Sequence, residues 1–149
     1  LLETTAGTGT SLGSRFEELA EIRALIPPDL RHRIGYCADT CHLYSAGYDL
    51  VNAYDAVWDE WERLIGIEHL HCFHLNDSKT PFASRKDRHE LIAEGSLGPE
   101  PFRRIMRDPR FADVIKVLET PKGDDMVTND RRMLRRLRAY GRGASKRVR

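Results

Sequence analysis

The chain has 149 residues, of which 32% are charged and 40% hydrophobic, and its formal net charge is +1. This composition excludes a disordered or fibrous chain, and no apolar run reaches the ~20 residues that a membrane helix needs. Three cysteines (Cys37, Cys41 and Cys72) are an odd number, and no signal peptide is visible, so we expect small buried thiols in a reducing, cytoplasmic setting.

Strand-like and helix-like apolar patterns alternate along the chain. The expected strands cover residues 1–4, 34–38, 69–75 and 114–118. The expected helices cover residues 16–26, 53–65 with Asn52 as N-cap, 99–106 and 125–140, and a long polar loop covers residues 76–98. This β-α order predicts an α/β fold with four βα units, in which parallel strands carry packed helices.

The near-neutral charge conceals an asymmetry between the two ends of the chain. Residues 122–149 hold 10 basic and 3 acidic residues, an excess of +7, whereas residues 1–121 carry −6. A basic segment indicates contact with a polyanion. The simpler interpretation, which we favour here, is a solvated Arg-rich helix followed by a partly disordered tail.

Each predicted strand ends at a residue that can bind a metal. These residues are Glu3, Asp39, His74 and Glu119. Function gathers at the carboxyl ends of parallel strands, so we expect them to lie together. Asp39 is also three residues from His42, and the polar loop holds a second carboxylate–imidazole pair, Asp87 and His89.

Taken singly, an Asp or His at such a position is more often structural than a ligand. Seven such groups at one rim favour a metal site instead. Carboxylate and imidazole together suit zinc, manganese or iron, and four carboxylates indicate more than one ion.

Six sequence strings, in order, closely resemble the endonuclease IV family of apurinic/apyrimidinic (AP) endonucleases. They are LETTAG at residues 2–7, DTCH at 39–42, AGYD at 46–49, FHLNDSK at 73–79, DRH at 87–89 and LETP at 118–121. The resemblance runs from residue 1 to about residue 121. One departure is Ala93, which stands where the family commonly has glycine.

The resemblance implies a TIM barrel with three zinc ions that hydrolyses the DNA phosphodiester 5′ to abasic sites and leaves a 3′-hydroxyl, a step of base excision repair. By position, Glu3 would be the catalytic carboxylate that bridges the first and second zinc ions. Asp39, His74 and Glu119 would complete the second site, and His42, Asp87 and His89 would form the third. Lys79, Arg85 and Arg88 would contact DNA.

Four βα units are half of the eight in a TIM barrel. The resemblance therefore implies that residues 1–121 are the C-terminal half of the barrel, and that two histidine ligands of the first zinc are absent. The expected partners are double-stranded DNA with abasic sites and the other half-barrel, or a second copy joined through open sheet edges. Two alternatives remain open: a divalent-metal sugar isomerase or epimerase of related fold, and a non-catalytic remnant that binds zinc or DNA.

Overall fold

The computed structural model describes residues 1–142, in which strands and helices alternate. The strands are β1 (Leu2–Glu3), β2 (Tyr36–Asp39), β3 (Leu70–His74), β4 (Asp77–Ser78), β5 (His89–Glu90) and β6 (Ile115–Val117). The helices are α1 (Phe16–Ala24), α2 (Thr40–Ala46), α3 (Tyr54–Leu64), α4 (Glu100–Ile105) and α5 (Thr128–Gly141). Short 3-10 helices cover Pro28–Arg33, Ile67–His69 and Pro109–Phe111.

The main sheet has four parallel strands in the order β1-β2-β3-β6. Asp39 pairs with His74, and His74 pairs with Val117 on the other side. The carboxyl ends of the strands therefore meet at one edge, and the predicted α/β fold with four parallel strands is confirmed.

A β-bulge lies between β2 and β3. Tyr36 pairs with Leu70, but Cys37 pairs with Cys72, so His71 is an extra residue on β3. A Cβ on Gly35 would lie only 2.1 Å from Cδ2 of His71, so the glycine allows this ring to cross the neighbouring strand. After the bulge, Asp39 and His74 are in register at the carboxyl edge.

Aromatic side chains fill the layer between the helices and the sheet. Trp58 and Trp61 of α3 are fully buried. The Trp58 ring stands edge-on to Phe73 of β3 at 5.4 Å and to Phe111 at 4.8 Å between ring centroids. The tryptophans therefore pack helix on sheet, which keeps them away from the polar edge.

Two elements near the polar edge were absent from the sequence prediction. Helix α2 follows β2 without a loop, and its N-cap is Asp39, whose Oδ1 accepts a hydrogen bond from the His42 backbone N–H at 3.0 Å. The predicted loop of residues 76–98 contains the antiparallel pair β4–β5. Both elements carry residues expected to bind metal.

The N-cap predicted at Asn52 is wrong. Helix α3 begins after Ala53, which makes no side-chain cap. Asn52 instead donates its backbone N–H and its side-chain amide to Asp49, and Asp49 also accepts the backbone N–H of Val51. The Asp49 carboxylate thus organises its own turn, a competing use of local hydrogen bonds that the sequence alone did not distinguish.

The two outer strands of the sheet have free edges within the described residues. Ile115 and Val117 of β6 are 65% and 40% exposed, and Leu1 beside β1 is 70% exposed. In residues 1–142 no helix has the length and apolarity to cross a bilayer. The predicted basic tail beyond residue 142 lies outside the described residues.

Candidate metal centre

The four strand-end residues converge at the carboxyl edge of the sheet. One ligand atom from each of Glu3, Asp39, His74 and Glu119 lies within 4.8 Å of those from the other three. Nδ1 of His74 is central: it is 2.9 Å from Glu3 Oε1, 3.1 Å from Glu119 Oε2 and 3.9 Å from Asp39 Oδ2. The geometry therefore brings together the residues that the β-α pattern placed at one rim.

A second group adjoins the first and shares Asp39 with it. Nε2 of His42 is 3.2 Å from one Asp87 oxygen, and Nε2 of His89 is 3.1 Å from the other. His89 Nε2 is also 3.5 Å from Asp39 Oδ2, and Asp39, His42 and His89 have ligand atoms mutually within 4.8 Å. Helix α2 supplies His42, and the β4–β5 pair supplies His89.

Main-chain oxygens orient both histidines of the second group. Nδ1 of His42 is 2.8 Å from the Thr4 carbonyl oxygen, and Nδ1 of His89 is 3.2 Å from the Glu119 carbonyl oxygen. A carbonyl can only accept, so the proton is assigned to Nδ1 in each ring, and each Nε2 keeps a free lone pair. Metal-binding histidines are held in this way.

Asn76 is a supporting residue that the sequence analysis did not single out. Its Nδ2 donates to Asp39 Oδ2 at 2.7 Å, and its Oδ1 accepts the Glu119 backbone N–H at 3.0 Å. It therefore fixes two candidate ligands on different strands. The signal was its place two residues after His74, within the string that is specific to the resembled family.

The arrangement fits divalent cations. Nε2 of His42 and of His89 are buried without a hydrogen-bond partner, because with the proton on Nδ1 each presents only a lone pair to an Asp87 oxygen, at 3.2 and 3.1 Å. Zinc bonds of 2.0–2.1 Å in a tetrahedron separate ligand atoms by about 3.3 Å, close to the 2.9–3.5 Å between most of these nitrogen and oxygen atoms.

The charge of the group also favours a cation. Across residues 1–142, no lysine or arginine forms an ion pair with a carboxylate of this centre. These carboxylates are Glu3, Asp39, Asp87 and Glu119, whose partners are histidines. Asp39 is fully buried, and placing further negative charges around it without compensation is costly, a cost that a metal ion removes.

Protonation is perturbed at two residues. Burial raises the pKa of Asp39, although hydrogen bonds and the nearby histidines oppose the shift. Burial lowers the pKa of His42, but the charges of Asp39 and Asp87 outweigh it, so that the net pKa is raised. A bound cation favours carboxylate and neutral imidazole, so metal binding here should release protons.

The three cysteines lie near these groups but suit metal binding poorly. Cys37 and Cys72 approach His74, and Cys41 approaches His89. Burial raises the pKa of the Cys37 thiol, and it raises the pKa of Cys41 to about 11, which disfavours the thiolates that bind metals. All three are buried and free, as expected of small core residues.

The three basic residues expected to contact DNA, Lys79, Arg85 and Arg88, have exposed side chains. Within residues 1–142 none of them forms an ion pair with a candidate metal ligand. The Lys79 backbone N–H donates to the Arg88 carbonyl oxygen at 2.9 Å. Arg85 lines a groove of about 420 Å³ with the loop after β1, from Gly7 to Arg15. They remain predicted contacts.

A family model described as a xylose isomerase-like TIM barrel matches residues 1–137. The chain belongs to this family. It is 51% identical over 144 residues to a probable endonuclease 4 of Chloroflexus aggregans, covering 95% of the chain and 49% of that relative. It is 57% identical over 128 residues to a probable endonuclease 4 of Geobacter sulfurreducens, covering 84% of the chain and 42% of that relative.

A solved structure gives the same result. The crystal structure of endonuclease IV from Thermus thermophilus matches with a TM-score of 0.81 and 41% identity, covering 94% of this chain and 48% of that one. The resemblance to endonuclease IV is thus confirmed. The chain spans about half the length of the curated relatives it matches.

Proposed function

We propose that this chain supplies the metal-binding half of an AP endonuclease that hydrolyses the DNA phosphodiester 5′ to abasic sites. The observation that carries the proposal is the convergence of seven carboxylates and imidazoles at one sheet edge. They are Glu3, Asp39, His42, His74, Asp87, His89 and Glu119. The naming of its relatives as endonuclease 4 supports the same function.

Zinc is the proposed metal, because the donor set combines imidazole nitrogens with carboxylates. When bound, such ions supply an activated water at neutral pH and offset negative charge on the reacting phosphate. Three ions are proposed for a complete barrel. Two histidines of the first site are not in this chain, so Glu3 alone would represent that site here.

The residues of the chain have distinct tasks in this proposal. Glu3 Oε1 lies 2.9 Å from His74 Nδ1 of the second site, and Glu3 would be the carboxylate that this site shares with the first. Asp39 lies between the two ligand groups and is fixed by Asn76. The rigid strand ends hold these atoms in place before substrate binds, which reduces the reorganisation needed for reaction.

Substrate contacts would come from the exposed basic residues around the centre. Lys79, Arg85 and Arg88 are proposed to neutralise phosphates that flank the abasic site, with binding that weakens as salt increases. The groove lined by Arg85 adjoins the loop that leaves β1, and β1 carries Glu3. This position suits residues that align the backbone of a duplex.

We also propose that the open face of the sheet takes the four remaining βα units of an eight-stranded barrel. Two observations support this partner: the free edges of β1 and β6, and the coverage of about half of each relative. The exposed Ile115 and Val117 would then be covered by apolar side chains of the partner strands.

Metal analysis and a cleavage assay test the proposed function. Purified chain dialysed with zinc should retain at least two ions, and the double variant His42→Ala/Asp87→Ala should lose one. His32→Ala, an exposed histidine outside the centre, is the matched control. Zinc content near zero in the folded wild-type chain would contradict the proposal.

The cleavage assay uses a duplex with one abasic site. We expect nicking when zinc-loaded chain is mixed with the complementary half of the Chloroflexus aggregans relative, and loss of nicking with His42→Ala/Asp87→Ala. A stable mixed complex without nicking would contradict the endonuclease function and leave the half-barrel partner supported.

A further inference from the structure

Helix α5 carries a row of arginines on its outer face. Four arginines, Arg131, Arg135 and Arg138 of the helix and its C-cap Arg142, follow a spacing of four, three and four residues. At 100° per residue, they fall within about 60° of one another and extend over about 16 Å. All four are exposed, whereas Met133 and Leu137 on the opposite side are buried. We call these four residues the arginine row.

The arginine row differs in its contacts from the other arginines of the same helix. Arg132 and Arg136 bind Glu94 at 2.6 and 3.0 Å, and Arg136 also donates to the Ile92 carbonyl oxygen, so both fasten α5 to the loop before α4. Within residues 1–142, no side chain of the arginine row forms an ion pair or hydrogen bond.

Little acidic charge lies near the row to neutralise it. The last acidic residue of the chain is Asp130, and its carboxylate is bound to Lys122 at 3.0 Å. The sequence from Arg131 onward contains basic residues and no Asp or Glu. The row is therefore an uncompensated positive surface whose charge is not needed to hold the helix in place.

The arginine row is also separate from the metal centre. Helix α5 begins beside the carboxyl edge, where Asn129 Nδ2 donates to the Pro121 carbonyl oxygen. It ends near the segment that precedes β6, where Arg107 Nε donates to the Tyr140 carbonyl oxygen at 2.7 Å. The row thus runs along the outer helix layer away from the candidate site.

We propose that the arginine row binds the phosphate backbone of duplex DNA, with no requirement for an abasic site. Guanidinium groups stay charged at all accessible pH values and pair with phosphate through two hydrogen bonds. Duplex DNA carries one charge per ~1.7 Å of axis with both strands counted, so about 16 Å of duplex carries roughly ten phosphate charges, of which the row would contact those on its own side. DNA is also the substrate in the proposed function, but binding of DNA to the arginine row needs neither a metal ion nor cleavage.

A nucleic acid suits this surface better than a membrane does. A helix that binds a bilayer surface inserts its apolar side between the lipids. Here Met133 and Leu137 are buried against the core, so that side is already occupied. A contact that reads no bases would hold the protein on undamaged DNA, and a lesion could then be reached without full dissociation.

Salt-dependent binding to an undamaged 20-base-pair duplex tests the proposal, with EDTA present so that the metal centre does not contribute. Arg135→Gln/Arg138→Gln should reduce the slope of log K against log salt by about 1.8, because each lost phosphate contact removes about 0.9. Arg135→Lys/Arg138→Lys should keep most of the slope. Circular dichroism confirms that each variant is folded.

The matched control is Arg33→Gln/Arg63→Gln, which removes two exposed arginines without ion pairs among the described residues. If the salt dependence of DNA binding fell as much in this control as in Arg135→Gln/Arg138→Gln, the effect would follow net charge alone. That result would overturn the proposal. So would an unchanged slope in Arg135→Gln/Arg138→Gln, or binding of wild type to phosphatidylserine vesicles but not to DNA. Failure of cleavage would leave all these outcomes unaffected.

Discussion

Asp39 meets several demands at once. It is fully buried, it adjoins both ligand groups, and it is the N-cap of α2. Its Oδ1 accepts from the His42 backbone, while Oδ2 accepts from Asn76 and faces the histidine nitrogens. The carboxylate therefore links the local fold of α2 to the candidate metal centre.

Two substitutions should separate these roles. Asp39→Asn keeps an oxygen for the cap and removes a buried charge, but it places an amide donor opposite Asn76 Nδ2, so we expect loss of zinc and a smaller loss of stability than in Asp39→Ala. Asp39→Ala should lose zinc and also about 1–2 kcal/mol of stability through the missing cap. Urea unfolding in EDTA and metal analysis measure the two effects. Zinc content equal to wild type in Asp39→Asn would refute the ligand role.

Ala93 has a backbone conformation that favours glycine, with φ of +63°. This finding agrees with the glycine that the resembled family commonly has at this position. Ala93→Gly should raise the free energy of unfolding by about 0.5–1 kcal/mol, because relief of left-handed strain exceeds the entropy cost of glycine. Urea unfolding would measure it, and a loss of stability would show that the strain is negligible.

Gly95 lies two residues further on and should respond in the opposite direction. A Cβ there would lie 2.4 Å from the Ser78 carbonyl oxygen and 2.6 Å from Asp77 Oδ1. Gly95→Ala should therefore cost about 1–3 kcal/mol through overpacking and displace the β4 backbone. This pair of variants, measured together, distinguishes backbone strain from lack of space.

At the scale of elements, the order of strands and long helices could be predicted because apolar periodicity reports burial directly. Helix α2 could not, since its seven residues follow β2 without a turn and are buried on several sides. The β4–β5 pair is also short, and it depends on buried Asp77, which accepts backbone N–H groups of Ser78 and Leu97. Such long-range contacts leave no periodic signal.

Asp108 connects two elements of the helix layer. Its carboxylate receives two hydrogen bonds from Arg110 Nε and Nη2 at 3.0 and 2.7 Å, and one from Tyr54 of α3 at 3.3 Å. Burial alone would raise the pKa of Asp108, but the hydrogen bonds and charge of Arg110 outweigh it, and the net pKa is lowered. The ionised form is thus favoured by folding.

The stability that Asp108 contributes should depend on pH. With a lower pKa in the folded state, the contribution is complete above the unfolded value of about 3.9 and disappears as pH falls through the folded value. Asp108→Asn should cost about 1–2 kcal/mol at pH 7 and less at pH 3, below the unfolded value. Urea unfolding at both pH values measures this, with exposed Asp29→Asn as control. A cost independent of pH would contradict it.

At the scale of the whole molecule, the seven candidate ligands could be named from sequence because strand ends and specific strings mark them. The resemblance also implied their division into two sites, but it did not show that Asp39 adjoins both groups, which follows from the register of β2 and β3. The arginine row was visible as a basic segment, but its orientation required the packing of Met133 and Leu137.

Because one face of the sheet is open, we expect the isolated chain to self-associate. Ile115 and Val117 expose apolar surface beside a free parallel edge, which favours pairing with another chain. We expect apparent mass in light scattering to rise with concentration, and Ile115→Lys/Val117→Lys to suppress this rise. Leu25→Lys, at an 84% exposed position outside the sheet, is the control. A wild-type chain that stays monomeric throughout would contradict the expectation.

The acceptors that hold the His42 and His89 rings are carbonyl oxygens of residues 4 and 119. Every amino acid has this oxygen, so the acceptor for His42 does not depend on the Thr4 side chain, whose hydroxyl instead accepts the Asp39 backbone N–H at 2.9 Å. The orientation of both rings is therefore set by the backbone just after β1 and β6. Asp39 and Glu119 differ from these histidines, because both are held by the Asn76 side chain and would lose that support if Asn76 were substituted.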